Sequence, residues 1–342
     1  MKKTVLVTGG AGFIGSHTIV SLAENYFFPV IIDNLSNSTP TAIAGIRGII
    51  GDNFAFYEGD VRDKDFVTQL FQKYNFQGVI HFAAFKAVGE SVEHPLKYYN
   101  NNIGGLVNIL SAIEEFEIPA FVFSSSCTVY GEPEGIKEVA ETTPLQLPTS
   151  PYGMTKWMGE HIISDTVKAN RKMKAANLRY FNPIGAHPSA KIGELPFGRP
   201  NNLLPFITQT AIGKYNKITV FGNDYQTVDG TCVRDYIHVM DLASAHVKTL
   251  EFLLQAERGT MEFINIGTGS GTSVLELIKT FESENGLTLP WEFGPRREGD
   301  VVEIFANTTK SRKLLNWTPE YTIADAVKHA WTWEKRLAEL NK

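Results

Sequence analysis

The sequence predicts an α/β fold: a doubly wound parallel sheet, then a smaller C-terminal domain. Three observations predict it. A short apolar, β-branched run at Thr4–Thr8 empties into a glycine-rich turn and then into helical spacing. Strand-like and helix-periodic runs alternate from there to Phe181. Beyond Asn182-Pro183 the chain becomes loop-rich, punctuated by Pro188, Pro196, Pro200 and Pro205. The first domain is therefore placed at 1–181 and the second at 182–342. Later segments near 236–266, Tyr236-Ile237-His238 and Phe263-Ile264-Asn265-Ile266, are expected to return to the large sheet.

The first strand leads into Gly9-Gly10-Ala11-Gly12-Phe13-Ile14-Gly15, and Ile14 through Leu22 continues with helical spacing. Gly9 permits a tight turn, Gly12 lets the backbone approach a pyrophosphate, and Gly15 lets the helix pack close on the strand. The helix N-terminus adds free amides and the positive end of a dipole. The spacing is G-x-x-G-x-x-G, not the standard G-x-G-x-x-G, and a glycine-rich turn alone is weak evidence. The next strand strengthens it. Pro29-Val30-Ile31-Ile32 ends in Asp33, close to where an acidic residue meets the adenosine ribose of a dinucleotide. A carboxylate accepts from the ribose hydroxyls and repels a 2′-phosphate, so the predicted cofactor is NAD, not NADP. Asn34, Asn37 and Ser38 add neutral hydrogen-bonding groups nearby. The sheet is thus expected to be of the Rossmann type.

Phe54–Val61 reads as a third strand with Asp60 at the adenine edge, and Val79–Ala84 as a fourth with small residues where a cofactor would pass. His81, inside that apolar run, reads as a core histidine. Tyr98 to Phe116 carries Ile103, Leu106, Leu110 and Ile113 at helical spacing. Phe121-Val122-Phe123 runs into Ser124-Ser125-Ser126, and Lys174 to Phe181 would be a sixth strand. Ligands of such sheets lie at the carboxyl ends of the strands, where Ser126 would face the helix opened by Pro151-Tyr152. Of twelve tyrosines only Tyr152 has a lysine, Lys156, four residues on. That spacing stacks both side chains on one helix face. A cation about 4 Å from a phenol favours the phenolate by roughly 4 kcal/mol, about three pKa units, enough for a base near neutrality.

Composition bounds the partners. With 43% hydrophobic and 20% charged residues, the 342-residue chain has ample material for a core. A net charge of -5 offers no footprint for nucleic acid or an anionic membrane. Cys127 and Cys232 are too few for a disulfide framework and fit free thiols in a reducing compartment. No apolar window approaches a transmembrane length, and Gly9-Gly10 interrupts the N-terminal apolar run too early for a signal peptide. The expected localisation is cytoplasmic. The histidines show no metal-ligand spacing.

Along nearly its whole length the chain resembles the extended short-chain dehydrogenase/reductases, and within them the UDP-glucose (UDP-galactose) 4-epimerase family. The matching segments are TGGAGFIGSH at Thr8–His17, DNLSNS at Asp33–Ser38, HFAAFKAVGESV at His81–Val92, SSSCTVYGE at Ser124–Glu132 and SPYGMTK at Ser150–Lys156. LRYFNPIGAHP at Leu178–Pro188, PNNLLPFI at Pro200–Ile207, FGNDYQTVDGTCVRDYIHVMDLA at Phe221–Ala243 and RREGDV at Arg296–Val301 follow. The glycine turn and YxxxK identify only the superfamily; the later segments are more specific.

The resemblance implies C4 epimerisation of UDP-glucose and UDP-galactose through a transient 4-keto sugar on tightly bound NAD. It implies that Tyr152 takes the 4-hydroxyl proton, that Lys156 holds the nicotinamide ribose and lowers the tyrosine pKa, and that Ser126 bridges sugar and Tyr152. It implies that Gly9, Gly12, Phe13, Ile14, Gly15, Asp33, Asn34, Asn37, Ser38, Asp60, Val61, Phe82, Ala83, Lys86, Asn101, Tyr180 and Phe181 line the cofactor. The UDP-sugar would fall to Lys86, Ser126, Thr128, Asn182, Asn202, Leu203, Phe221, Arg234, Arg297 and Asp300. Arg234 and Arg297 suit a pyrophosphate clamp, because guanidinium forks match phosphate geometry; neighbouring Arg296 is expected to be solvated.

Related dehydratases carry an Asp-Glu pair, and related decarboxylases a Glu, where this chain has Cys127 and Thr128. That argues against elimination or decarboxylation. A catalytically silent NAD-sensing protein would have a broken Ser/Tyr/Lys set, and here it is intact. The position of Ile304 is implied to gate acceptance of UDP-GlcNAc and UDP-GalNAc, with a residue of intermediate bulk. Family members commonly form homodimers through two helices per subunit, with which the apolar face of Tyr98–Phe116 is compatible.

Overall fold

The computed structural model describes residues 2–133, 135–297 and 300–340. Its centre is a seven-stranded sheet of β1 (Lys3–Thr8), β2 (Phe27–Asp33), β3 (Ala55–Glu58), β4 (Phe76–His81), β5 (Ala120–Ser124), β6 (Lys174–Tyr180) and β7 (Met261–Ile266). Every pairing in it is parallel, in the spatial order β7-β6-β5-β4-β1-β2-β3. The order reverses between β1 and β4, so the crevice for ligands opens where Thr8 pairs with both Ile32 and His81.

Burial on both faces explains the near-continuous apolar strands. Val5, Val7, Ile31, Ile80 and Val122 point to one face, under the helices Phe13–Glu24 and Val239–Gln255. Leu6, Val30, Ile32, Val79, Phe121 and Phe123 point to the other, under Lys64–Lys73, Gly104–Glu115 and Pro151–Ala169. Burying each such side chain is worth about 1.5–3 kcal/mol. The apolar face of Gly104–Glu115 (Leu106, Ile109, Leu110, Ile113) is covered by this same core, so it carries no information about a partner subunit.

Of the two later segments expected in the large sheet, Phe263–Ile266 lies in β7, beside β6. Tyr236–His238 does not: it pairs in parallel with Asn182–Ile184 in a separate two-stranded sheet. The ladder changes partner within one residue, since Phe181 N donates to Ile266 O at 3.3 Å and Asn182 N to Asp235 O at 3.0 Å. What returns to the large sheet there is the following helix, capped by His238 Nδ1 accepting from Met240 N at 3.0 Å.

A second core gathers Leu204, Ile207, Leu277, Ile278, Phe281, Ala326 and Val327 from the helices Leu203–Ala211, Val274–Asn285 and Ile323–Leu340. The Tyr98–Phe116 helix is not uniform. It runs as Pro95–Tyr98, a π-helical turn Tyr99–Ile103, then Gly104–Glu115. The π turn buries Asn101 and Asn102; Asn102 accepts from Phe85 N at 2.9 Å and donates to Thr155 Oγ1 at 3.0 Å. Among the described residues no helix is long and apolar enough to cross a membrane.

Candidate active site

A cavity of about 460 Å³ runs along the carboxyl ends of the strands. Its first half is the glycine turn. Gly9 has φ +69°, and a Cβ there would lie 2.7 Å from Ala83 N, so only glycine fits. A Cβ on Gly15 would lie 2.3 Å from Gly9 O, so the helix packs close on the turn that follows β1. Gly12 is the N-cap of Phe13–Glu24, and a Cβ there would meet only Gly9 O, at 3.2 Å. That helix has neither a side-chain cap nor an acidic residue in its first turn, so its amides remain available to an anionic ligand.

Asp33, 9% exposed, closes this half. Its Oδ1 accepts from Leu35 N at 2.9 Å and Ser38 Oγ at 2.7 Å, and its Oδ2 from Ala11 N at 3.0 Å. A carboxylate offers about four acceptor positions, so the oriented group can still accept from a ribose hydroxyl. Asp60 is paired with a neighbour. Arg62 grips it through Nε at 2.9 Å and Nη2 at 2.7 Å, holding its carboxyl well below the usual range. Gly59 and Val61 line the cavity on either side of it, and Asp60 does not.

The second half belongs to the helix Pro151–Ala169. Pro151 occupies its first turn, and Ser150 Oγ accepts from Gly153 N at 3.2 Å. Lys156 is buried; its Nζ donates to Ser124 O at 2.5 Å and lies 5.9 Å from the Tyr152 ring centroid. Ser126 Oγ accepts from Thr128 N at 3.2 Å and Thr128 Oγ1 at 3.0 Å. Burial works against the expected effect of the ammonium on the phenol. Burial pushes Tyr152 up to about 12, opposed by its hydrogen bond with Ser126. The same burial pulls Lys156 down to about 7. Desolvation is the largest cause of both shifts.

The cavity brings together most of the residues singled out in the sequence: Gly9, Gly12, Phe13, Ile14, Gly15, Asp33, Asn34, Asn37, Ser38, Val61, Phe82, Ala83, Lys86, Asn101, Ser126, Thr128, Tyr152, Lys156, Tyr180, Phe181, Asn182 and Asn202. Leu203, Phe221, Arg234, Arg297, Asp300 and Ile304 are not on its wall. Four of these six form a cluster of their own. Arg234 and Arg297 converge on Asp300 at 3.8 and 2.5 Å, and Arg297 lies over the Phe221 ring at 5.7 Å. Arg296 pairs with Asp224 at 2.8 Å, and its side chain is about as exposed as that of Arg297, so exposure does not separate them. Glu298 and Gly299 of the same motif lie outside the described residues. Ile304, 5% exposed, packs with Val129, Tyr130 and Phe181 and sits behind the cavity wall rather than on it.

Sequence reasoning missed Glu194. It lines the cavity and accepts from Lys86 Nζ at 3.2 Å and Asn202 Nδ2 at 2.7 Å, tying two predicted ligand residues together. It stands in a loop without periodicity or motif, so no local signal marked it. His81 is a core histidine: its Nδ1 is 2.7 Å from Thr8 Oγ1, and burial lowers its pKa to about 3. Cys127 lines the cavity with its thiol pushed up to about 11 by burial, the wrong direction for a nucleophile. Among the described residues no cluster of His, Cys, Asp and Glu could hold a metal ion.

Comparison with known proteins agrees with this geometry. A family model described as GDP-mannose 4,6 dehydratase matches residues 6–330. UDP-glucose 4-epimerase of Bacillus subtilis (strain 168) is 47% identical over 330 residues, covering 96% of each chain. The crystal structure of UDP-glucose-4-epimerase from Stenotrophomonas maltophila, with bound NAD and formylated UDP-arabinopyranose, superposes with a TM-score of 0.96 at 43% identity, covering 99% of each chain. The Bifidobacterium longum enzyme in complex with NAD+ and UDP gives 0.93 at 41%, covering 98% of each. The family model spans a wider group, and the full-length relatives narrow it: the chain belongs to the UDP-glucose 4-epimerase family of the extended short-chain dehydrogenase/reductases.

Proposed function

We propose that this chain interconverts UDP-glucose and UDP-galactose by inverting C4 of the sugar, using a tightly held NAD and passing through a 4-keto sugar. The observation that carries the proposal is the single cavity joining the glycine turn and Asp33 to Ser126, Tyr152 and Lys156. The residues fit the cofactor: Gly12 puts no side chain between the cavity and the uncapped helix amides, and Asp33, fixed by Ala11 N, would accept from a ribose. Bound NAD supplies the chemistry of accepting hydrogen from C4 and returning it to the opposite face.

The chain's own residues do the rest. Tyr152 accepts the O4 proton, passed across Ser126, whose oxygen is fixed by Thr128. Lys156 holds the nicotinamide ribose and stands over the Tyr152 ring. Lys86, Asn182 and Asn202 orient the UDP-sugar from the cavity wall. Arg234 and Arg297, already converging on Asp300, form the diphosphate clamp. Ile304, behind Phe181, sets whether N-acetylated UDP-sugars fit. Tyr152→Phe is the direct test: more than about a hundredth of wild-type epimerisation would remove the general-base role. NMR of the products separates a C4 epimer from a deoxy or decarboxylated sugar, and from the unchanged sugar that a silent NAD-sensing protein would leave. Ile304→Tyr should lower turnover of UDP-GlcNAc and UDP-GalNAc relative to UDP-galactose; an unchanged ratio would remove the gate. A cytoplasmic homodimer completes the proposal, and light scattering of the purified protein checks the dimer.

A further inference from the structure

The loop that carries Ser126 is held at both ends by one buried ion pair. Glu160 lies one helical turn beyond Lys156 on the same helix, and Arg179 lies on β6; their side chains are 1% and 4% exposed. Arg179 donates to Glu160 Oε1 through Nε at 2.9 Å and to Oε2 through Nη2 at 2.7 Å. The same Glu160 Oε1 accepts from Ser125 Oγ at 2.6 Å. Arg179 Nη1 donates to Tyr130 Oη at 3.2 Å, and Tyr130 Oη donates to Asn265 Oδ1 of β7 at 2.6 Å. Ser125 and Tyr130 bracket Ser126 and Thr128.

The helix therefore grips the end of β5 at two successive points. Lys156 takes the carbonyl of Ser124, and Glu160 takes the hydroxyl of Ser125. Tyr152, Lys156 and Glu160 follow at four-residue steps along one helix face. A buried carboxylate would be costly alone, and the two-pronged guanidinium makes it tolerable while adding direction. A bond that only filled the core would have no need to connect to the residue beside Ser126.

We propose that Glu160 and Arg179 are a positioning pair that fixes Ser126 against Tyr152 by clamping Ser125 and Tyr130. This rests on Ser126 and Tyr152 acting as proposed above. The pair touches neither substrate nor cofactor, and its effect is on where the serine hydroxyl stands.

Two mild variants test it on the protein as purified. Ser125→Ala removes one hook and Tyr130→Phe the other, each leaving the ion pair intact. Each should lower kcat for UDP-galactose by about 10- to 100-fold, the effect of a misplacement near 1 Å, with KM held within about twofold. Amide exchange across Ser126–Tyr130 should speed up in both variants, whatever the reaction. Wild-type kcat in both folded variants would overturn the proposal, and so would unchanged exchange. An active Tyr152→Phe beside faster exchange in Ser125→Ala would instead locate the failure in the catalytic assignment.

Discussion

Gly15 and Gly12 stand three residues apart in one turn, yet the structure assigns them opposite sensitivities. A Cβ on Gly15 would sit 2.3 Å from Gly9 O, 2.8 Å from Gly10 Cα and 3.1 Å from Gly10 C, all backbone atoms. Carbon and oxygen need roughly 3.3 Å, so the first helical turn must retreat by about 1 Å. Without that clash Gly→Ala in a helix stabilises by about 0.5–1 kcal/mol. With it, Gly15→Ala should destabilise by about 1–3 kcal/mol. At about 2.1 cal/mol/K per residue over 342 residues, 2 kcal/mol lowers Tm by about 3 °C. The same retreat carries the helix amides away from the pyrophosphate position, so the purified variant should hold little NAD. Gly12→Ala is the contrast. Its backbone angles, φ -73° and ψ 175°, suit alanine, and its Cβ meets only Gly9 O at 3.2 Å. It should keep Tm within about 1 °C while reducing bound NAD, because the methyl has one slightly tight backbone contact and otherwise faces the cavity. Thermal melting and the nucleotide released on denaturation measure both. A Gly15→Ala protein that melts at or above wild type and carries full NAD would refute the packing argument.

Further outcomes are expected elsewhere. Arg179→Met leaves Glu160 buried without its partner and should destabilise by about 3–5 kcal/mol, whereas Glu160→Leu/Arg179→Met together should recover most of it; equal melting of the single and double variants would contradict the buried-pair account. Asp33→Ala strips the acceptor from Ala11 N and should lower stability by about 1–3 kcal/mol along with NAD content, so full retention of NAD would dismiss the ribose role. Burial lowers His17, His81 and His238 to about 3 and His246 to about 4, from 6.5. Between about pH 4 and 6.5 the unfolded chain therefore binds more protons than the folded one, and stability falls as pH falls. Each histidine contributes up to about 1.4 kcal/mol per pH unit. Asp241, raised to about 6 by burial, acts with the opposite sign over about pH 4–6 and offsets one of them. The urea midpoint should drop steeply from pH 6.5 to 5, and a flat profile would show that these rings are already charged or solvated.

Much of the nucleotide half was legible because its signals are local. Gly9, Gly12 and Gly15 are dictated by a turn whose spacing survives in one dimension, and Asp33 follows from strand length alone. What the sequence did not show of Asp60 is the grip of Arg62, which depends on the rotamers of both side chains. Tyr236–His238 has strand composition, but whether it joins β6 or Asn182–Ile184 depends on where one ladder exchanges partners, between Phe181 and Asn182.

The sequence by itself determined the order of strands and helices, the family, and which residue types could perform proton transfer beside a dinucleotide. Those properties live in periodicity and in short motifs. Only the tertiary structure decided that burial drives Tyr152 and Lys156 apart in pKa, that Glu194 ties Lys86 to Asn202, and that Glu160 reaches across to Ser125 and Arg179. Desolvation and long-range pairing depend on which atoms become neighbours, and a sequence does not list its neighbours in space.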